Sequence, residues 1–223
     1  MLALLGTGVS VWFSMDAFGL TPPALVASVV ALLVPIVACE PVRKRSTKVI
    51  GGTANRITLL RGCLVAWLAA FCMTNGSQHQ AFWVACVATI ALAMDGLDGF
   101  IARKTNGESE YGAKFDMEFD AMLMLVLSWL VFTWNQAGPW VLFCGLGRYL
   151  WAAASAQFMW LRKEVPGEFR RKTGCVIGVI GLICAAAPIP HSALWAAIAT
   201  GALALSFGMD TVWLFNRRRE PTQ

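Results

Sequence analysis

Along this chain apolar residues come in long blocks separated by short polar breaks. Six blocks of roughly twenty residues recur from residue 57 onward, at about 57–73, 80–101, 119–136, 139–160, 174–190 and 192–215. An apolar run of that length crosses the hydrocarbon core of a bilayer as an α-helix. Two further blocks, about 2–18 and 22–39, come first, the earlier one interrupted or flanked by Asp16 and three glycines. Thr21-Pro22-Pro23 between them reads as a turn, and residues 1–20 lack the Lys or Arg that opens a signal peptide. The pattern predicts an all-α polytopic membrane protein: an N-terminal membrane hairpin over residues 1–45, then a six-helix domain over 46–223.

Composition strengthens that reading. A hydrophobic content of 57%, with only 14% charged residues, and a mean hydropathy of +0.61 lie outside the range of ordinary soluble domains. The basic residues fall in every second break: Arg43, Lys44, Arg45, Lys48, Arg56 and Arg61; then Arg103, Lys104 and Lys114; then Arg162, Lys163, Arg170, Arg171 and Lys172; then Arg217, Arg218 and Arg219. The alternate breaks 74–80, 134–140 and 187–192 hold no Lys or Arg. The positive-inside rule puts the basic breaks on the cytoplasmic side, as for a multi-pass protein of the bacterial inner membrane. The net charge of +5 is then an excess of cytoplasmic cations and calls for no nucleic-acid partner. Trp134 and Trp140 beside an outer turn, with Trp160 and Trp213 near inner ends, fit an interfacial aromatic belt. Seven cysteines sit singly, without a C-x-x-C pair or a Cys/His cluster, so neither zinc nor a disulfide framework is indicated. His79 and His191 fall at outer turns, where a solvated histidine needs no further role.

The informative chemistry lies where one apolar block ends and the next begins. Residues 95–120 read DGLDGFIARKTNGESEYGAKFDMEFD. An aspartate in a bilayer costs roughly 2.5–3.5 kcal/mol, so several together mark a functional site. Asp95 and Asp98 are three apart at one helix end, and Asp116 and Asp120 four apart at the next helix start, spacings that put each pair on one face. A short cytoplasmic link, 104–115, makes the pairs converge. Four carboxylates in one pocket repel unless a cation sits between them, and hard oxygen donors select Mg²⁺, Mn²⁺ or Ca²⁺. Two such ions clamping a diphosphate form a natural arrangement for displacement at phosphorus. Gly96, Gly99 and Gly112 allow close approach to backbone, Arg103 can neutralise a phosphate, and one acid is left to act as a base. Glu108 and Glu110 read as solvated.

The spacing D-x2-D-G-x2-A-R-x8-G-x3-D-x3-D, met at Asp95, Asp98, Gly99, Ala102, Arg103, Gly112, Asp116 and Asp120, resembles the signature of the CDP-alcohol phosphotransferase family. Asn55-Arg56-Ile57-Thr58-Leu59-Leu60-Arg61 similarly resembles the family's Asn-x-x-Thr-x-x-Arg segment at the start of its first core helix. The likeness covers about residues 50–216, leaving the N-terminal hairpin outside it. It implies a six-helix core, a homodimer, and a phospholipid-synthesising transferase that moves a phosphatidyl group from CDP-diacylglycerol to an alcohol and releases CMP. By position it implies Asp95, Asp98, Asp116 and Asp120 as ligands of a Mg²⁺ or Mn²⁺ pair. Asp120 would also be the base, and Gly99, Arg103 and Gly112, with Asp95, would contact the nucleotide.

The acceptor is less legible. Arg170, Arg171 and Lys172, before the fifth core helix, resemble the basic group of family members that use glycerol phosphate or inositol phosphate, and guanidinium groups suit a phosphate dianion. Plain cytoplasmic charge would produce the same residues. Arg148, in the middle of a block, needs a partner or a polar cavity; it can face an acceptor pocket or pair with Asp210. Tyr149 stands where glycerol-phosphate enzymes tend to carry an acid, so phosphatidylglycerol, choline, inositol and serine stay open as acceptors. A cation-coupled transporter is the competing class, but transporters place such charges near the midplane on broken helices. Here the acids gather at one face.

Overall fold

A computed structural model describes residues 18, 20, 22–45, 53–104, 110–158 and 168–216. Seven α-helices and no strand occur among the described residues: α1 Pro23–Arg45, α2 Thr53–Ala69, α3 Gln78–Lys104, α4 Glu110–Thr133, α5 Leu142–Gln157, α6 Glu168–Ala186 and α7 Ser192–Asn216. Short 3₁₀ turns, Ala70–Met73 and Pro139–Val141, extend α2 and lead into α5. The protein is thus all-α, and α2 to α7 correspond to the six predicted blocks. The first block, 2–18, falls almost wholly outside the described residues.

Helix α4 is the hub, packing against α1, α2, α5 and α6. Phe119, Leu127 and Leu130 on it are wholly buried. Its first turns carry an aromatic stripe at i, i+4 spacing: Tyr111 stacks on Phe115 at 5.4 Å, and Phe115 meets Phe119 edge-on at 4.9 Å. That stripe lies against Leu32 and Cys39 of α1 and Ala66 of α2. Glycines set the closest approaches. A Cβ on Gly145 of α5 would fall 2.5 Å from the Leu125 Cα of α4, and one on Gly181 of α6 would fall 2.9 Å from the Ala199 Cβ of α7. Small residues at such crossings are how membrane helices gain contact where no hydrophobic drive separates helix from lipid.

The outer faces are apolar. Val30 and Val37 on α1, Ile180 on α6, and Leu194, Leu205 and Val212 on α7 are all exposed. A water-soluble surface rarely carries so much contiguous apolar area. Among the described residues, α1 over Pro23–Val42 and α7 over Ser192–Asn216 are long and apolar enough to cross a membrane unaided, while Ile57–Met73 is shorter. Helix α5 has 16 residues, about 24 Å at 1.5 Å per residue, and reaches a bilayer's width only with its 3₁₀ lead-in.

The loops 74–77 and 134–138 meet at one end, where the Trp134 indole N–H donates to the Thr74 carbonyl at 3.1 Å. Ser192 donates to the Gln136 carbonyl at 3.4 Å, bringing in the third cation-free break. Trp134 is buried, so it is a loop clasp rather than the interfacial anchor expected of it; Trp140 is exposed.

Candidate active site

At the opposite end, three helices bring their charges together. Asp95 lies near the end of α3, Asp116 and Asp120 near the start of α4, and Arg61 in α2. The aromatic stripe at 111, 115 and 119 turns α4 so that positions 116 and 120, each about 100° further round, face α2 and α3. Oxygens of Asp95, Asp116 and Asp120 lie within 4.8 Å of one another. Both helices extend further than expected, to Lys104 and from Glu110, so the link shortens from 104–115 to 105–109, which lies outside the described residues. The acids therefore stand on helical backbone, which holds carboxylates more firmly than a loop does.

Arg61 sits beneath this cluster, 1% exposed. Its guanidinium pairs with Asp95 and Asp116, reaches Asp120 at 3.2 Å, and donates to the Asp116 carbonyl at 3.2 Å. The three carboxylates are 29%, 36% and 38% exposed, so they separate the buried cation from the open side. Neighbouring Gly62 permits this closeness: a Cβ there would overlap the Phe119 ring at 2.5 Å. From its place in the chain Arg61 is expected to be cytoplasmic charge and part of the Asn-x-x-Thr-x-x-Arg resemblance. The missed signal was an arginine inside the apolar block 57–73, which demands an acidic partner.

Other expected site residues separate into three groups. Asp98, Gly99 and Arg103 lie on the last turns of α3 by backbone, but their side chains are outside the described set. Gly112 lies in the first turn of α4, half-buried. Among the acceptor candidates, Arg148 donates to Glu118 at 2.7 Å and approaches the Met117 sulfur at 2.9 Å. Arg170 pairs with Asp210, which is buried in α7. The pairing of Arg148 with Asp210, one of the two options left open by the sequence, is therefore not the one found. Glu118, two residues from Asp116 and so roughly 200° round the helix, points away from the aspartate cluster and meets Arg148 instead. All seven cysteines are free.

The carboxylates fit a divalent cation: three hard oxygen donors from two helices converge on one side with no thiolate or imidazole among them. Asp95, Asp116 and Asp120 are the residues that can hold one.

The sequence profile of the CDP-alcohol phosphatidyltransferase family matches residues 52–207. A phosphatidylinositol phosphate synthase from Corynebacterium glutamicum is 26% identical over 181 residues, covering 75% of this chain and 80% of that protein. No solved structure matches the chain.

Proposed function

The chain belongs to the CDP-alcohol phosphatidyltransferase family, and on that premise we propose that it transfers a phosphatidyl group from CDP-diacylglycerol to a phosphorylated polyol, releasing CMP. The observation that carries this reading is the junction of Asp95, Asp116 and Asp120, whose oxygens lie within 4.8 Å of one another. The acceptor's hydroxyl oxygen forms a bond to the phosphorus that carries the lipid, and the bond from that phosphorus to CMP breaks. Asp120 takes the hydroxyl proton. Arg103, Gly99 and Gly112 bind the nucleotide. Asp98 completes the set with Asp95, Asp116 and Asp120 that holds Mg²⁺ or Mn²⁺, two ions in the full site. Bound there, the metal supplies positive charge to the diphosphate and its leaving oxygen.

The acceptor's phosphate falls to Arg171 and Lys172, since Arg148 is paired with Glu118. Arg170 is engaged with Asp210 and serves the site by holding its neighbours in register. The name of the Corynebacterium relative supports inositol phosphate beside glycerol 3-phosphate as an acceptor. The enzyme is a homodimer of multi-pass chains in the bacterial inner membrane, with this end at the cytoplasmic face. The uniform sign of the basic breaks supports that orientation.

The test is CMP release by purified protein with CDP-diacylglycerol and Mg²⁺, offered glycerol 3-phosphate, inositol phosphate, inositol, serine, choline or phosphatidylglycerol, with Asp120→Asn as blank. Release with a phosphorylated acceptor is expected. Release only with an unphosphorylated one would sink the acceptor assignment while leaving the reaction class intact. Arg171→Ala should raise the KM for the phosphorylated acceptor about tenfold, the loss of one charge-assisted hydrogen bond.

A further inference from the structure

Buried arginines in membrane domains need a reason, and Arg61 is the largest wholly buried side chain among the described residues. It serves no lipid headgroup or water-facing role, because it is 1% exposed. Its partners include the three carboxylates that can hold a divalent cation. Three carboxylates against one guanidinium leave two formal negative charges among these four groups. The geometry is layered: Arg61 lies below, the carboxylates above it, and the open side beyond them. A cation arriving from the open side meets acids already held together, and it also meets the repulsion of the guanidinium behind them.

We propose that Arg61 is the resident counterion of the acidic junction, a positioning residue that keeps Asp95, Asp116 and Asp120 assembled without metal and lowers the affinity with which they bind it. The inference rests on the metal-site reading given above. Its consequence for turnover is a metal held loosely enough to adjust as the diphosphate arrives and CMP departs. Two effects oppose each other when Arg61 is removed. The carboxylates lose their tether, which weakens metal binding, and the metal loses a repelling charge one carboxylate away, which strengthens it. Coulomb repulsion between a dication and a cation in a partly buried site outweighs the relaxation of a side chain that the metal itself re-gathers. The net effect of removal is therefore tighter binding, the opposite of what loss of a merely structural residue produces.

The experiment is a Mn²⁺ titration of the detergent-solubilised full chain, followed by the electron paramagnetic resonance of free Mn²⁺, together with melting temperatures with and without Mg²⁺. Arg61→Gln should bind Mn²⁺ at least about tenfold more tightly than wild type. It should melt lower without metal and gain more from Mg²⁺ than wild type does. Arg61→Lys keeps the charge but loses the forked geometry, and its Mn²⁺ affinity should be no tighter than that of wild type. If Arg61→Gln folds only when purified with metal, the metal has replaced the missing counterion, as the proposal requires. If it does not fold at all, Arg61→Lys decides, and Mn²⁺ binding tighter than wild type in that variant, which keeps the charge, overturns the proposal. Equal or weaker Mn²⁺ binding in a folded Arg61→Gln overturns it too, and leaves the metal site standing. Absence of saturable Mn²⁺ binding in wild type would instead remove the metal site itself.

Discussion

The two ends of the bundle are built on opposite principles. At the acidic end, helices are joined by charge: Arg61 of α2 to Asp95 of α3 and Asp116 and Asp120 of α4, Arg148 of α5 to Glu118 of α4, and Arg170 of α6 to Asp210 of α7. At the other end they are joined by neutral groups. Trp134 clasps Thr74, Ser77 and Gln80 exchange hydrogen bonds of 3.0 and 3.1 Å in a capping box at the start of α3, and Gln80 donates to the Phe18 carbonyl at 2.7 Å. Neutral clasps cost little to desolvate and do one job, holding turns. Buried ion pairs cost much to desolvate, so their concentration at one end sets it apart as the candidate active end.

The largest effect should come from the working end. Asp120→Asn is expected to lower CMP release by about 10²–10⁴-fold, the range for loss of a general base, with a melting temperature near that of wild type. Full activity in that variant removes Asp120 from the base role. Next is the Arg170–Asp210 pair. Asp210→Asn should cost about 2 kcal/mol, below the usual figure for a fully buried pair because Arg170 is a third exposed. The reversed pair, Arg170→Asp with Asp210→Arg, should recover part of that loss; strictly additive costs would show that the two side chains do not interact in the folded protein. The neutral end should respond in stability alone. Gly76 has a φ of +70° and a Cβ there would lie 2.5 Å from the Trp134 ring, so Gly76→Ala should cost about 1–2 kcal/mol with turnover retained below the melting temperature. Ser77→Ala, which removes half of the capping box, should cost about 1 kcal/mol. A loss of turnover in either outer variant at a temperature where it is folded would collapse the division between the ends.

The order of helices α1 to α7 was legible because each is an apolar block bounded by breaks of matched polarity, a signal carried by many residues at once. The candidate metal ligands were legible because an acid in an apolar context is costly wherever it lies, and four at helical spacing leave few innocent explanations. Partner choice among the remaining charges was not. Arg148, Arg170, Glu118 and Asp210 all announce a need for a counterion, but which pair forms depends on the rotation of α4 about its axis and on how far α6 and α7 slide together. Gly178 and Gly181 set that slide, since a Cβ at either would meet Leu203 or Ala199 at 3.0 Å or less. Arg61 was read from its place in the chain as cytoplasmic charge, although it lies beneath the acids.

The sequence by itself determined that this is an all-α membrane protein of the CDP-alcohol phosphatidyltransferase family, with a charged end that carries Asp95, Asp116 and Asp120. Hydropathy and helical periodicity act over short stretches of chain, so they can be read without knowing what packs on what. Only the tertiary structure decided that Arg61 lies under those aspartates, that Arg148 belongs to Glu118, and that Asp210 belongs to Arg170. Each of those facts needs the azimuth and the depth of two helices at once, and no single stretch of sequence encodes either.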